Sequence, residues 1–245
     1  MNKNKTSKIT LLLMSLALLA GTSSCIDDFF VEGNGIYRTE TRMASGFEEI
    51  ASNGDFNVTV LPGDDYSVEV SAESNLLSYI ETDVVGKTLK IRTRGLHTLR
   101  DHHSIEVYIT TPVLSGLSLS GSGKIKTGSF VSNDNDFRIS VSGSGDIDTN
   151  ISADHISTHV SGSGVVYLQG DTYETAFVVS GSGKIKAYDL VQEHCNATIS
   201  GSGDMFVNAS ETIDARISGS GRVYYINHPV IHTSISGSGK VVDKN

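Results

Sequence analysis

The sequence predicts an all-β protein, a right-handed parallel β-helix-like solenoid of about seven repeat coils, preceded by an N-terminal β segment that caps or begins the helix. The tetrapeptide Ser-Gly-Ser-Gly occurs seven times at intervals of 18 to 22 residues, a period typical of solenoids. Residues around each copy alternate between apolar and polar, which indicates β-strands, and no stretch beyond residue 24 keeps an apolar period of 3.6. The copies begin at Ser120, Ser142, Ser161, Ser180, Ser200, Ser218 and Ser236.

Two apolar columns flank the tetrapeptide. The residue two places after its second glycine is Ile125, Ile147, Val166, Ile185, Met205, Val223 or Val241. The residue just before it is Leu119, Val141, Val160, Val179, Ile199, Ile217 or Ile235. Because every member of both sets is apolar, we expect both columns to face a core.

Between these columns lies a mostly charged one, which should face solvent. Its members are Lys124, Asp146, Val165, Lys184, Asp204, Arg222 and Lys240. Stacked coils would place Lys124 over Asp146, and Asp204 between Lys184 and Arg222. Each exposed pair contributes only about 0.2–1 kcal/mol, so this ladder would select the register more than it stabilises the fold.

The glycines of the tetrapeptide have an architectural role in this interpretation. If the alternation runs straight through the block, both glycines point inward and both serines point outward. An inward glycine leaves room where the wall comes close to another segment, or where the chain bends at a corner. We therefore expect Gly181→Val to overpack the column.

The two cysteines, Cys25 and Cys195, are too few for a disulfide scaffold or a cysteine-rich metal site. Cys195 falls in an inward column and is predicted to be a small buried core residue rather than a nucleophile. That column contains Phe137, Ile156, Thr175, Cys195, Ile213 and Ile231.

The N-terminus has the pattern of an export signal over residues 1–24. Three lysines precede an apolar stretch from Ile9 to Ala20, and small residues lead to Cys25. A cysteine in this place resembles the lipidation site of bacterial lipoproteins, where acyl chains anchor a folded domain to the membrane. The alternative is ordinary signal cleavage nearby, with Cys25 left free or bonded to Cys195. Asp27 and Asp28 resemble the acidic residues that direct some lipoproteins to the cell surface.

After the signal we predict a tether over residues 25–35 and a single domain over 36–245, with an N-terminal β part (36–115) and repeat coils (116–245). Phe56 to Val60 and Tyr66 to Val70 flank Pro-Gly-Asp-Asp and predict a β-hairpin. Asn75 to Ile80 predicts one helical turn or an irregular corner.

Several short segments together resemble a known family. They are Phe47-Glu48-Glu49-Ile50, Gly54-Asp55-Phe56-Asn57-Val58, Gly63-Asp64, Asn75-Leu76-Leu77 with Ile80, Gly86 with Leu89-Lys90-Ile91, and the run from Thr111-Pro112 through Leu119-Ser120-Gly121-Ser122-Gly123. Over about residues 45–245 the chain resembles the head-GIN domain auto-transporter adhesin family. The resemblance implies a β-helix-like domain of exported bacterial proteins, often lipoproteins, proposed to be adhesins. It implies no catalytic residues.

Charge and residue spacing exclude several functions. Lys and Arg number 19 against 28 Asp and Glu, which argues against a nucleic-acid partner. The histidines have no metal-protease or zinc-ribbon spacing, and we interpret Asp101-His102-His103 as a solvated loop. Asn133 to Asp136 is interpreted as a turn rather than a Ca²⁺ site. We expect no cofactor, no metal and no catalytic residues.

The best candidate for a binding site is an outward column on four consecutive coils, Tyr167, Lys186, Phe206 and Tyr224. Such a column could stack on sugar rings or a partner chain, or simply be cross-strand packing on an exposed sheet. The sequence therefore favours a non-enzymatic, surface adhesin-like module that recognises glycan or protein. The alternative is a structural protein of the envelope that pairs with a partner or a second copy through its terminal coil, near Val241.

The predicted location is the cell envelope, with the lipid on Cys25 held in the outer membrane. The expected orientation is towards the cell surface, and the periplasmic face remains the alternative.

Overall fold

The structure, a computed structural model, describes residues 29–132 and 136–245. Most of them belong to strands, and a 3₁₀ turn occupies Leu77–Tyr79. The strands are β1 (Phe30–Glu32), β2 (Tyr37–Arg42), β3 (Glu49–Asn53), β4 (Phe56–Pro62), β5 (Ser67–Glu73), β6 (Ile80–Val85), β7 (Thr88–Thr93), β8 (Thr98–Arg100), β9 (Ile105–Thr111), β10 (Gly116–Gly121), β11 (Lys124–Val131), β12 (Asp136–Gly143), β13 (Asp146–Gly162), β14 (Val165–Gly181), β15 (Lys184–Gly201), β16 (Asp204–Gly219), β17 (Arg222–Ile226), β18 (Val230–Gly237) and β19 (Lys240–Asp243). In the described part of the chain, no helix has the length and apolar character needed to span a bilayer.

The repeat coils stack as the sequence predicts, and the all-β solenoid is confirmed. Each coil pairs in parallel with the next, one tetrapeptide directly over another. Ile125 pairs with Ile147, and Ile147 pairs with Val166. The long strands β13 to β16 each belong to two successive coils, because each runs on from one coil wall into the next.

The two apolar columns form the core along most of the column's length. From Leu119 and Ile125 onward, their members are buried in the first six coils. The prediction is wrong at the last coil, where Ile235 is 42% exposed and Val241 is only partly buried. The reason is that β18 and β19 pair on one side only, with β16 and β17.

The tetrapeptide is a corner, and the alternation does not run straight through it. The first glycine of each copy has φ between +115° and +126°, a region that side chains avoid. A Cβ on Gly143 would lie 2.6 Å from the carbonyl oxygen of Gly121, its register partner. The side-chain position of the first glycine therefore faces the neighbouring coil rather than the core. The second glycine does face inward, because a Cβ on Gly164 would lie 2.6 Å from Cγ1 of the buried Val141.

The N-terminal part adds two further layers and a cap, as the sequence predicts. β3 and β4 pair in parallel with β10 and β11. β7 and β9 pair in parallel with β3 and β4 on their other side. β2, β5 and β6 then close this end through antiparallel pairs. The result is one continuous 17-stranded sheet, capped at its N-terminal end.

The predicted hairpin between β4 and β5 is wrong. β9 lies between the two strands, parallel to β4 through Phe56 and Ile105, and antiparallel to β5 through Val68 and Ile109. A turn sequence predicts only the local path of the chain. Here β9, which follows about forty residues later, pairs with β4 in the place that the hairpin prediction gives to β5.

The segment predicted as a tether is partly bound to the domain. β1 pairs in parallel with β8, and the Gly33 N–H donates to the carbonyl of Arg100 at 2.8 Å. Local sequence shows no period over three residues, so this pairing could not be predicted. The lipidation prediction at Cys25 and the signal over residues 1–24 lie outside the described residues.

Candidate binding face

The four predicted binding residues lie in one unbroken column. Tyr167 pairs with Lys186, Lys186 with Phe206, and Phe206 with Tyr224. We call this set the aromatic column. It lies on the coil wall that follows the Ser-Gly-Ser-Gly corner, where parallel strands stack about 4.8 Å apart.

The side chains of the aromatic column contact one another. Lys186 Nζ lies 3.3 Å from the Tyr167 hydroxyl and 4.6 Å from the centroid of its ring. The rings of Phe206 and Tyr224 are stacked, with centroids 4.9 Å apart and planes 14° apart. Lys244 Nζ lies 5.4 Å from the Tyr224 centroid. At least one face of each ring is therefore covered, and the column offers ring edges, hydroxyls and ammonium groups to a ligand.

A groove of about 370 Å³ runs beside the aromatic column. Its lining residues are Tyr167, Leu168, Gln169, Lys186, Tyr188, Asp189 and Phe206. Its volume falls within the usual range for small-ligand sites. The lining combines aromatic surface with one cation and one carboxylate, a composition suited to a polar ligand with an apolar face.

The sequence reasoning missed Tyr188. A β-bulge sets it opposite no residue of the neighbouring coil, because Tyr167 pairs with Lys186 while Gln169 pairs with Asp189. Its side chain is on the outer wall, two residues after the exposed Lys186, and its ring meets Phe206 edge-on at 5.5 Å. Burial raises the pKa of its hydroxyl. The available signal was the alternation itself, because Tyr188 follows the buried Ala187 and has the parity of the exposed Lys186.

The charged ladder has the predicted register without the predicted ion pairs. Lys124 stacks on Asp146, and Asp204 lies between Lys184 and Arg222. Among the described residues, none of these three pairs brings its charged atoms within 4.0 Å, whereas the next column outward has Lys126 Nζ 3.9 Å from Asp148.

Cys195 is a core residue, as predicted. It is 1% exposed, and burial raises the pKa of its thiol to about 12. A thiol of that pKa stays protonated at neutral pH and is a poor nucleophile.

The histidine loop holds the cap together. His102 donates its backbone N–H to the buried carboxylate of Glu73 at 2.9 Å, and its Nδ1 lies 3.1 Å from the same carboxylate. The backbone hydrogen bond from His102 is the main cause that lowers the pKa of Glu73. Within residues 29–132 and 136–245, no cluster of three His, Cys, Asp or Glu side chains could hold a metal ion.

The terminal coil presents a sheet edge with apolar side chains. Val230 and Ile235 are 61% and 42% exposed. Side chains of Asn208, Asn227 and Asn245 join the last coils, with Asn227 Nδ2 donating to Asn208 Oδ1 at 2.5 Å and Asn245 Nδ2 to the Asn227 carbonyl at 2.7 Å. Their intervals of 19 and 18 residues match the repeat, so this ladder could have been found from sequence.

Comparison with known proteins matches the chain to a family. Residues 46–229 match the family model described as "Putative auto-transporter adhesin, head GIN domain". No curated protein matches the sequence.

Solved structures share the fold. A "putative lipid binding protein" from Parabacteroides distasonis is 26% identical with a TM-score of 0.74, and the match covers 88% of this chain and 100% of that one. A "putative adhesin" from Bacteroides fragilis is 22% identical with a TM-score of 0.78, over 87% of this chain and 100% of that one. Another from Parabacteroides merdae is 19% identical with a TM-score of 0.68, over 88% and 99%.

Proposed function

The chain belongs to the head-GIN domain family, and we propose that it is a non-enzymatic adhesin-like lipoprotein that binds glycan or protein at the cell surface through the aromatic column. The observation that carries the proposal is the continuous column of Tyr167, Lys186, Phe206 and Tyr224 beside a groove of about 370 Å³. Aromatic side chains that are already packed on a rigid sheet, such as the half-buried Phe206 and Tyr224, lose little conformational entropy on binding.

The proposed location follows from the N-terminus. Acyl chains on Cys25 would hold the domain in the outer membrane, and Asp27 and Asp28 favour export to the outer surface. The family's adhesin character supports a surface location. Protease treatment of whole cells tests this location. A protein that is cleaved only after lysis would lie in the periplasm, which would contradict a role in adhesion.

The binding proposal is tested with a glycan array and with binding to surface-protein extracts. We expect Tyr167→Ala with Tyr224→Ala to abolish a signal that the parent protein gives. Tyr173→Ala is the matched control, because Tyr173 is 50% exposed and lines a different groove. Equal loss in the control, or no loss in the double variant, would contradict the assignment of the site.

A second candidate function rests on the terminal coil. Its free edge and the exposed Val230 and Ile235 suit strand pairing with a second copy or an envelope partner. Analytical ultracentrifugation would then show a dimer that Ile235→Lys dissociates. A monomer at all concentrations would leave self-pairing without support.

A further inference from the structure

Three exposed apolar side chains lie on two neighbouring segments where the described chain begins. Phe29 and Phe30 are 45% and 38% exposed, and Leu96 is 81% exposed. The parallel register places Phe30 beside Thr98, and Leu96 is two residues before Thr98, in the turn that precedes β8. Phe29, Phe30 and Leu96 form the set that we call the cap patch.

The cap patch is held rigidly on the capped end of the solenoid. Arg100 lies over the Phe30 ring, with Cζ 4.0 Å from its centroid. The buried Glu73 carboxylate accepts the N–H of Gly35 at 2.5 Å and that of His102 at 2.9 Å. A Cβ on Gly33 would collide with the same carboxylate. These contacts fix the segment after the patch, so the aromatic side chains are presented in one place instead of moving with a free tether.

The sequence preceding the patch brings a lipid surface within reach. Cys25 is four residues before Phe29, and four extended residues span at most about 14 Å. If Cys25 is acylated, the patch stays that close to the headgroups, which makes its local concentration at the bilayer high. Phenylalanine and leucine side chains beside a basic residue such as Arg100 are typical of surfaces that insert into the membrane interface. Asp27 and Asp28 add no attraction to anionic lipid, so apolar burial must supply the contact.

We propose that the cap patch is a bilayer-contact site, which inserts Phe29, Phe30 and Leu96 into the interface and holds the solenoid upright on the membrane. The site rests on the lipid anchor proposed above. From the layer of β7 and β9 to the terminal coil there are eight strand spacings, or about 38 Å. An upright solenoid therefore carries the aromatic column and the terminal coil away from the headgroups, towards a partner.

The chain contains no tryptophan, so a single introduced tryptophan reports its own depth. The full chain is produced with Leu96→Trp, purified from membranes and reconstituted into phosphatidylcholine vesicles that carry a lipid with a nitroxide near the headgroup. The matched control carries Val230→Trp on the terminal coil. We expect blue-shifted, strongly quenched emission from position 96 and unquenched emission from position 230. Adding Phe29→Ser and Phe30→Ser to the Leu96→Trp chain should reduce the quenching towards the control value, with little dependence on salt.

Mass spectrometry of the N-terminal peptide separates the two proposals. An acylated protein whose tryptophan at position 96 is quenched no more than that at position 230 would overturn the cap patch and leave the anchor intact. An N-terminal peptide without acyl chains would overturn the anchor, and the cap patch with it. Both serine substitutions are at exposed positions, and an unchanged thermal transition would show that any loss of quenching does not come from unfolding.

Discussion

Replacing Gly181 by alanine tests the stacking of the coils most directly. Gly181 is the first glycine of the fourth tetrapeptide, with φ +122°. A Cβ there would lie 2.7 Å from the carbonyl oxygen of Gly162 in the adjacent coil. That carbonyl accepts a hydrogen bond from the N–H of Ser182 at 2.9 Å. The methyl group therefore cannot be accommodated by a side-chain rotation, and one of the two coils must move.

The expected loss has two parts. The backbone conformation itself costs about 1–3 kcal/mol for a residue other than glycine. Pushing two packed coils apart costs about 1–3 kcal/mol more. We expect Gly181→Ala to lower the free energy of unfolding by about 3–5 kcal/mol, the sum of those ranges taken near their middle.

Gly86 provides the control. Its φ is +63°, and nothing lies within 4 Å of the position its Cβ would take. Gly86→Ala should cost only the left-handed conformation, about 1–2 kcal/mol. Urea denaturation followed by circular dichroism measures both variants. A loss for Gly181→Ala no larger than that for Gly86→Ala would refute the reasoning, because the close approach of stacked corners would then have no energetic effect.

Three further predictions concern the core, the terminal coil and the cap. Ile147 is fully buried, so Ile147→Ala should lower the free energy of unfolding by about 2–5 kcal/mol. Ile235→Ala, at the uncovered terminal coil, should lower it by less than about 1 kcal/mol. Equal losses in the two variants would show that the terminal coil is covered. Cys195 should resist thiol reagents in the native protein from pH 7 to 9 and react after unfolding, since its folded pKa is about 12; fast native labelling of Cys195 would contradict its burial. The pKa of Glu73 is lowered in the folded state, so its stabilising effect is present above the unfolded pKa and is lost as the pH falls through the folded pKa. Glu73→Gln should therefore reduce the loss of thermal stability that acid causes, as measured by melting temperature against pH. An unchanged acid dependence would show that other groups cause it.

The coils could be predicted because the same physical demand recurs in each of them. A position such as Val160 or Ile185 must be apolar to fill the core, and a corner such as Gly181 must lack a side chain. Seven repetitions of both demands make the period visible in one sequence. The register of outward residues then follows, which is why the sequence predicts the aromatic column.

The remaining features depend on contacts that no local pattern reports. β9 separates β4 from β5 although the turn between them has the sequence of a hairpin. The bulge beside Tyr188 depends on the register between two coils, which the sequence of one strand does not reveal. Lys124 and Asp146 form no ion pair although their register is as predicted. Solvent screens exposed charges, so the attraction is too weak to fix these two side chains in contact.

A solenoid wall also constrains what kind of function it can perform. Groups in one column are held in a line about 4.8 Å apart. A linear array suits an extended ligand that contacts one coil after another. Tyr167 and Tyr224 are three coils apart, about 14 Å, beyond the distance at which substitutions usually couple. Their separate effects on binding free energy should therefore add, and a double variant that loses much more than the sum would indicate that the ligand depends on a conformational change of the wall.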